Sequence, residues 1–120
     1  MHPDLTLTLQ PQTPQAACHL NVRGELDFSN ADRLTRTLDG ITLDPQAVLI
    51  IDLTGLEYCD STGITALIGA HQRAAAAGSA LAFAGVSPDI AHIFAILGLD
   101  RLFACYDTPA LAEEQLRPNR

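Results

Sequence analysis

Residues 47–70 read AVLIIDLTGLEYCDSTGITALIGA. The first seven of these residues are apolar except for Asp52, as is typical of a strand that is buried on both faces of a parallel sheet. Beyond Asp60 the apolar residues Ile64, Leu67 and Ile68 recur at helical spacing, which predicts an amphipathic helix. A buried strand followed by a helix is the repeating unit of α/β proteins, so this stretch predicts the fold class.

The flanking sequence predicts a single domain over residues 1–120, with a core from about residue 5 to residue 116 and the element order β-β-α-β-α-β-α-β-α. The first two strands alternate apolar and polar residues on either side of a short proline-bearing connection, which indicates a hairpin. The later strands alternate with helices and should pair in parallel, giving a mixed, mainly parallel sheet with about four helices. The predicted strands are 5–9, 18–23, 47–53, 80–84 and 102–106, and the predicted helices begin after Ser29, Asp60, Ser87 and Thr108.

The chain carries 14 acidic residues against seven Arg, has no Lys, and has a formal net charge of −7. This balance argues against nucleic acid and anionic membranes as partners, because binding to phosphate needs a basic surface. No apolar run reaches the roughly 18–20 residues of a membrane span, and the first residues do not resemble a signal peptide. Three widely spaced Cys fit a reducing compartment, so we expect a cytoplasmic protein.

Asp60, Ser61, Thr62 and Gly63 stand at the junction between the central strand and its helix. Asp60 is the predicted N-cap, which accepts a hydrogen bond from the amide of Thr62 or Gly63. Ser61 is expected in the first turn with its hydroxyl near the surface, and Gly63 permits close approach by another backbone. These residue types suit any helix start, so helix capping alone and a functional site are both open interpretations of the local chemistry.

Enzyme and metal chemistry match the sequence poorly. A serine hydrolase would place Gly two residues before the nucleophile, where this chain has Cys59, and a phosphate-binding loop would need Lys. No His is followed by a metal-like partner three or four residues further along the chain, so no metal and no cofactor are expected. We therefore predict no catalytic residue, and a small serine hydrolase using Ser61 is the alternative from a different functional class.

Four segments, in their order and spacing, resemble the anti-sigma factor antagonists (anti-anti-sigma factors) of the STAS domain family. They are GELD at 24–27, VLIIDLTGL at 48–56, DSTGI at 60–64 and IFAILGLDRLF at 93–103. The resemblance covers about residues 5–116 and implies a STAS-like fold and a regulatory binding domain rather than an enzyme.

The resemblance also implies a phosphorylation switch. In that family the hydroxyl that follows the Asp, here Ser61, is phosphorylated by an anti-sigma factor with a histidine-kinase-like ATP-binding fold. The unphosphorylated form binds this kinase and so releases the sigma factor, and a PP2C-type phosphatase restores it. Nucleotide and magnesium belong to the kinase. Asp27 maps near the partner surface, and the implied partner-binding residues are Asp27, Asp60, Ser61, Thr62 and Gly63.

Two further expectations concern the surroundings of this switch. A signalling scaffold of the stressosome type, with no sigma factor downstream, is the alternative within the family. Cys59 departs from the family, which usually has a larger apolar residue there, and it places a thiol beside Ser61. A redox role would need an exposed thiol with a lowered pKa, whereas the carboxylates of Glu57 and Asp60 are expected to raise the pKa of Cys59.

Overall fold

The computed structural model describes residues 4–116. The strands are β1 (Thr6–Gln10), β2 (Cys18–Leu26), β3 (Val48–Asp52), β4 (Leu56–Cys59), β5 (Ala80–Ala84) and β6 (Cys105–Tyr106). The helices are α1 (Ala31–Asp39), α2 (Ser61–Ala77), α3 (Pro88–Ile96) and α4 (Pro109–Leu116), and a 3₁₀ turn covers Leu99–Arg101.

The sheet has the strand order β1-β2-β3-β5-β6, and β4 pairs separately with β2. Within residues 4–116, β1 and β2 run antiparallel and every other pairing is parallel. The predicted hairpin and the mixed, mainly parallel sheet with four helices are therefore confirmed. The carboxyl ends of the parallel strands all lie along one end of the sheet, which is called its carboxyl edge below. Ligands and partners commonly bind α/β proteins there.

Strand β4 corrects the predicted order, which had a loop between the central strand and its helix. β2 pairs with β3 as far as Asn21 and with β4 from Gly24 onward, so β4 becomes the partner of β2 after β3 ends at Asp52. In sequence, Thr54 and Gly55 resemble an ordinary turn, and the strand that follows them is too short to show a clear periodicity. The pairing brings the end of β4, and hence the start of α2, beside the end of β2.

Several predicted boundaries are wrong, and β2 continues to Leu26 beyond its predicted end at residue 23. Helix α1 begins after Asn30, and the Ser29 hydroxyl donates to the Asp27 carboxylate at 2.6 Å instead of capping the helix. The last strand covers Cys105–Tyr106 alone, because the 3₁₀ turn and the residues after it bend the chain before the strand begins.

The other three predicted helix starts are confirmed. Asp60, Ser87 and Thr108 each accept a hydrogen bond from a backbone amide in the first turn of the helix that follows. Such bonds satisfy amides that have no partner within the helix, so these three helices begin where the sequence predicts.

Helices cover both faces of the sheet. α1, α2 and α3 pack over one face, where the core includes Leu49, Ile51 and Phe83, and α4 packs over the other face, against Ile50 and Ala82. Successive residues of β3 thus point into two separate cores, which confirms that the central strand is buried on both faces. No helix within residues 4–116 is long and apolar enough to cross a bilayer.

Candidate functional site

The Asp60 carboxylate joins two segments at the carboxyl edge of the sheet. Its Oδ1 accepts a hydrogen bond from the Gly63 amide at 2.8 Å, which caps α2 as predicted. Its Oδ2 accepts from the Phe28 amide at 2.9 Å, in the turn between β2 and α1. The Asp60 amide donates to the Leu26 carbonyl at 3.2 Å. The start of α2 and the turn after β2 are therefore fixed to each other through one residue.

Ser61 is the first residue of α2 and is exposed, as predicted. Its carbonyl accepts a hydrogen bond from the Thr65 hydroxyl at 2.9 Å, but within residues 4–116 the Ser61 hydroxyl itself has no hydrogen-bond partner. A serine nucleophile needs a general base within hydrogen-bond reach, and no described side chain meets that requirement. The hydroxyl is open to approach from outside the molecule.

Gly63 is buried against the end of β2. A Cβ atom at this position would lie 2.6 Å from the Leu26 carbonyl oxygen and 2.7 Å from the Cys59 sulfur. The predicted close approach by a backbone therefore exists, and it comes from this chain itself. Thr62 is exposed beside Ser61, so these two residues present their side chains while their neighbours hold the helix start in place.

The turn that follows β2 is fixed by its own polar side chains. Asp27 Oδ1 accepts from both the amide and the hydroxyl of Ser29, at 2.9 and 2.6 Å. Asn30 is buried; its side chain accepts from the Asp27 amide and donates to the Glu25 carbonyl, both at 2.9 Å. Asp27 thus stabilises the turn, and the turn places it at the same edge of the sheet as Ser61.

Apolar side chains lie beside this polar site, and the sequence did not predict that they belong to it. Phe28 is 80% exposed in the turn after β2. A groove of about 410 Å³ between α2 and α3 is lined by Ser61 and by apolar residues that include Ile64, Ile93 and Leu97. The one available signal was Phe28 itself, an aromatic residue among polar ones that fits neither strand nor helix periodicity.

Cys59 is 7% exposed and lies beneath the start of α2. Burial, with a smaller contribution from the Asp60 carboxylate, raises the pKa of the Cys59 thiol to about 12. The expected direction is confirmed, although burial and not the neighbouring charge is the main cause. This thiol stays protonated at neutral pH, whereas a redox-sensitive Cys needs an accessible thiolate.

Carboxylates gather at the edge of the sheet that carries Ser61. Asp52 ends β3, and Asp27, Asp60 and Asp107 directly follow β2, β4 and β6. The ion pairs found within residues 4–116 involve other acidic residues. The helix starts at this edge offset part of the negative charge. The remainder suits a partner with a basic surface, and no group of three or more His, Cys, Asp or Glu in the described residues could hold a metal ion.

Comparison with known proteins places these features in a family. Residues 8–112 match the model of the STAS domain. An anti-sigma-B factor antagonist of Listeria monocytogenes serovar 1/2a is 35% identical over 78 residues, which cover 65% of this chain and 68% of that protein. An anti-sigma F factor antagonist of Paenibacillus polymyxa is 21% identical over 113 residues, which cover 93% of this chain and 97% of that protein.

Solved structures share the fold. An anti-sigma factor antagonist from Mycobacterium paratuberculosis has a TM-score of 0.82 at 22% identity, over 95% of each chain. Unphosphorylated SpoIIAA, also an anti-sigma factor antagonist, has a TM-score of 0.74 at 17% identity, over 96% of this chain and 99% of its own. The phosphorylated form of the Bacillus SpoIIAA has a TM-score of 0.61 at 18% identity, over 89% and 96%. At such identities the likeness shows the fold alone.

Proposed function

Because the chain belongs to the STAS domain family, we propose that it is an anti-sigma factor antagonist. The unphosphorylated protein binds an anti-sigma factor with a histidine-kinase-like ATP-binding fold and so releases the sigma factor. That kinase phosphorylates Ser61, which ends the binding, and a PP2C-type phosphatase removes the phosphate. Sigma factors act in the cytoplasm, so the proposal locates this chain there.

The similar proteins support the class of partner and the class of modification. The Listeria and Paenibacillus proteins are named as antagonists of anti-sigma factors. SpoIIAA has been solved in an unphosphorylated and a phosphorylated form. For this chain, a role as a phosphorylated binding domain is therefore favoured over hydrolysis.

The observation that carries the proposal is the setting of the Ser61 hydroxyl. The hydroxyl is exposed and makes no internal hydrogen bond within residues 4–116, and Asp60 caps α2 independently of it. A kinase can therefore reach Ser61, and the fold does not depend on its hydroxyl. Asp27, Asp60, Thr62 and Gly63 complete the proposed partner-binding site, with Gly63 acting through its backbone.

The cost of phosphorylation to binding follows from the hydration and size of the phosphate. A phosphate adds about −1.5 to −2 charges at a position where the unphosphorylated protein presents a small neutral hydroxyl. Its repulsion from Asp60 is present in the free protein as well, so the loss of affinity comes from removing water from the phosphate and accommodating its bulk at the interface. We expect a cost of roughly 3 kcal/mol, which weakens binding about 100-fold.

The test begins with Ser61→Ala as bait in the native cell, because this variant keeps the binding surface and accepts no phosphate. The captured partner is identified by mass spectrometry, purified, and incubated with the wild-type protein and ATP. We expect one phosphate on Ser61 and an affinity for the partner about 100-fold weaker than that of unphosphorylated protein at the same salt. Thr62→Ala removes the adjacent exposed hydroxyl of the same site; it should still accept one phosphate, which assigns the modification to Ser61 whatever the effect of this variant on affinity.

Three results would contradict the proposal. Equal affinity of the phosphorylated and unphosphorylated proteins would remove the switch. A captured partner without kinase activity, in a complex with no sigma factor downstream, would favour the signalling scaffold. Ester hydrolysis by the pure protein that is lost in Ser61→Ala would favour the hydrolase.

A further inference from the structure

Phe28 differs from every other Phe of the chain. Phe83, Phe94 and Phe103 are buried in one aromatic cluster, with ring centroids 4.5 Å apart for Phe83 and Phe103 and 5.3 Å apart for Phe94 and Phe103. Phe28 is 80% exposed, the most exposed large apolar side chain in residues 4–116. The fold therefore gains little from an aromatic ring at this position.

Single exposed apolar residues are common on protein surfaces and need no explanation by themselves. What distinguishes Phe28 is that the backbone on both sides of it is fixed. Its amide donates to Asp60 Oδ2 at 2.9 Å, Asp27 before it accepts from the amide of Ser29 after it, and the buried Asn30 holds the Asp27 amide. The ring is therefore presented by a rigid turn rather than by a flexible loop.

We propose that Phe28 is an apolar anchor, a side chain that inserts into a pocket of the partner when the two proteins bind. Asp60 is then the positioning residue that holds Phe28 in place. The inference rests on the proposed function, in that the partner is the anti-sigma factor. The carboxylates of Asp27 and Asp60 bond to backbone amides of the turn that carries Phe28, so the complementary surface is an apolar pocket rimmed by Arg or Lys. Asp60 then positions both Phe28 and Ser61, since the carboxylate that holds the Phe28 amide also caps the helix that carries Ser61.

The chemistry of anchors agrees with this assignment. Interface energy is concentrated in a few residues, and large aromatic side chains that enter a pocket are prominent among them. Burial of an exposed ring removes apolar surface from water, and a ring on a fixed turn loses little additional freedom on binding. Phe28 meets these conditions at the edge of the sheet that also carries Ser61.

The first measurement is the affinity of unphosphorylated variants for the purified partner that Ser61→Ala captures. We expect Phe28→Ala to bind about 30-fold more weakly, the loss of an interface hot spot, with an unchanged melting temperature because the ring is exposed. Leu111→Ala is the matched control. Leu111 is also an exposed large apolar residue, but it lies on α4, across the sheet from α2, and its loss should leave the affinity unchanged.

The second measurement needs no partner. The side chain introduced by Asp60→Asn can still cap α2 through its carbonyl oxygen, but its NH₂ group cannot accept a hydrogen bond from the Phe28 amide. We expect the Phe28 amide to exchange its hydrogen at least about tenfold faster in Asp60→Asn than in the wild type. Ser61→Ala, which leaves the carboxylate in place, should exchange at the wild-type rate.

A double-mutant cycle tests whether Asp60 acts through Phe28. The loss of affinity caused by Asp60→Asn should be at least threefold smaller in the Phe28→Ala background than in the wild type. Additive losses, or unchanged exchange of the Phe28 amide in Asp60→Asn, overturn the positioning role. Wild-type affinity in Phe28→Ala overturns the anchor and leaves the proposed function intact. Failure of the wild type to bind any anti-sigma factor overturns both proposals.

Discussion

At the scale of single residues, Gly63 and Gly69 lie on the same helix in opposite surroundings. A Cβ at Gly63 would meet the Leu26 carbonyl oxygen at 2.6 Å, whereas a Cβ at Gly69 would meet nothing within 4 Å. We expect Gly63→Ala to lower the free energy of unfolding by about 1–3 kcal/mol, because the backbone of β2 must move. Gly69→Ala should raise it by up to about 1 kcal/mol, because Ala favours helix over Gly.

Urea denaturation of both variants beside the wild type measures the two free energies. Both replacements add the same methyl group to α2. The difference between their free energies of unfolding therefore reports the surroundings of the two positions and not the helix propensity. Equal free energies of unfolding for the two variants would show that the end of β2 is not in the close contact with Gly63 that the structure shows.

Interactions between residues close in sequence were predictable, and interactions between residues far apart in sequence were not. The capping bond of Asp60 joins residues three positions apart, so its geometry follows from the helix start alone. The bond from Phe28 to Asp60 joins residues 32 positions apart. It depends on the pairing of β2 with β4, and nothing in the sequence around Phe28 indicates that pairing.

At the scale of elements, α4 is attached to the sheet through Glu113. Its Oε2 accepts from the Ala17 amide at 2.7 Å, and its Oε1 lies 2.6 Å from His19 Nε2, just before and within β2. Loss of this carboxylate leaves a partly buried amide without an acceptor. We expect Glu113→Ala to lower the free energy of unfolding by about 1–3 kcal/mol, measured by urea denaturation.

Gln115→Ala is the control for this prediction. Gln115 is exposed on the same helix, so its replacement by Ala, a better helix former, should change stability by less than about 0.5 kcal/mol. If Glu113→Ala is no more destabilising than Gln115→Ala, the attachment of α4 comes from its apolar contacts with β3, β5 and β6.

Elements with a strong periodicity or cap signal were predicted correctly, and short elements were not. The run of apolar residues in β3 and the caps of α2, α3 and α4 each identify one structure. β4 has four residues and β6 has two, which is too few for alternation to show. Both become strands because a longer neighbouring strand offers them hydrogen-bonding groups, and that is a property of the assembled sheet.

At the scale of the whole molecule, we expect negative charge to control the association rate with the partner. The net charge is −7, and the sheet edge with Ser61 carries carboxylates that form no ion pair within residues 4–116. We expect the association rate with the purified partner to fall at least about tenfold between 50 and 500 mM salt, because salt screens attraction at long range. The dissociation rate should change far less.

Two charge-removing variants locate this attraction. Glu57→Gln removes a charge from β4, beside the Ser61 edge, and should lower the association rate at low salt by about twofold. Asp44→Asn removes a charge ahead of β3, at the opposite edge, and should leave the rate unchanged. An association rate that does not respond to salt would indicate a partner surface without the expected basic groups.

The independence of the Ser61 hydroxyl from the fold has a consequence for evolution. Since Asp60 caps α2 and no described residue bonds to that hydroxyl, gain or loss of the hydroxyl at position 61 changes folding little, and selection on it acts through the partners. Under the proposed function, lineages can therefore gain, lose or replace the modified residue by single mutations, and each mutant protein still folds. Regulation can diverge here faster than structure.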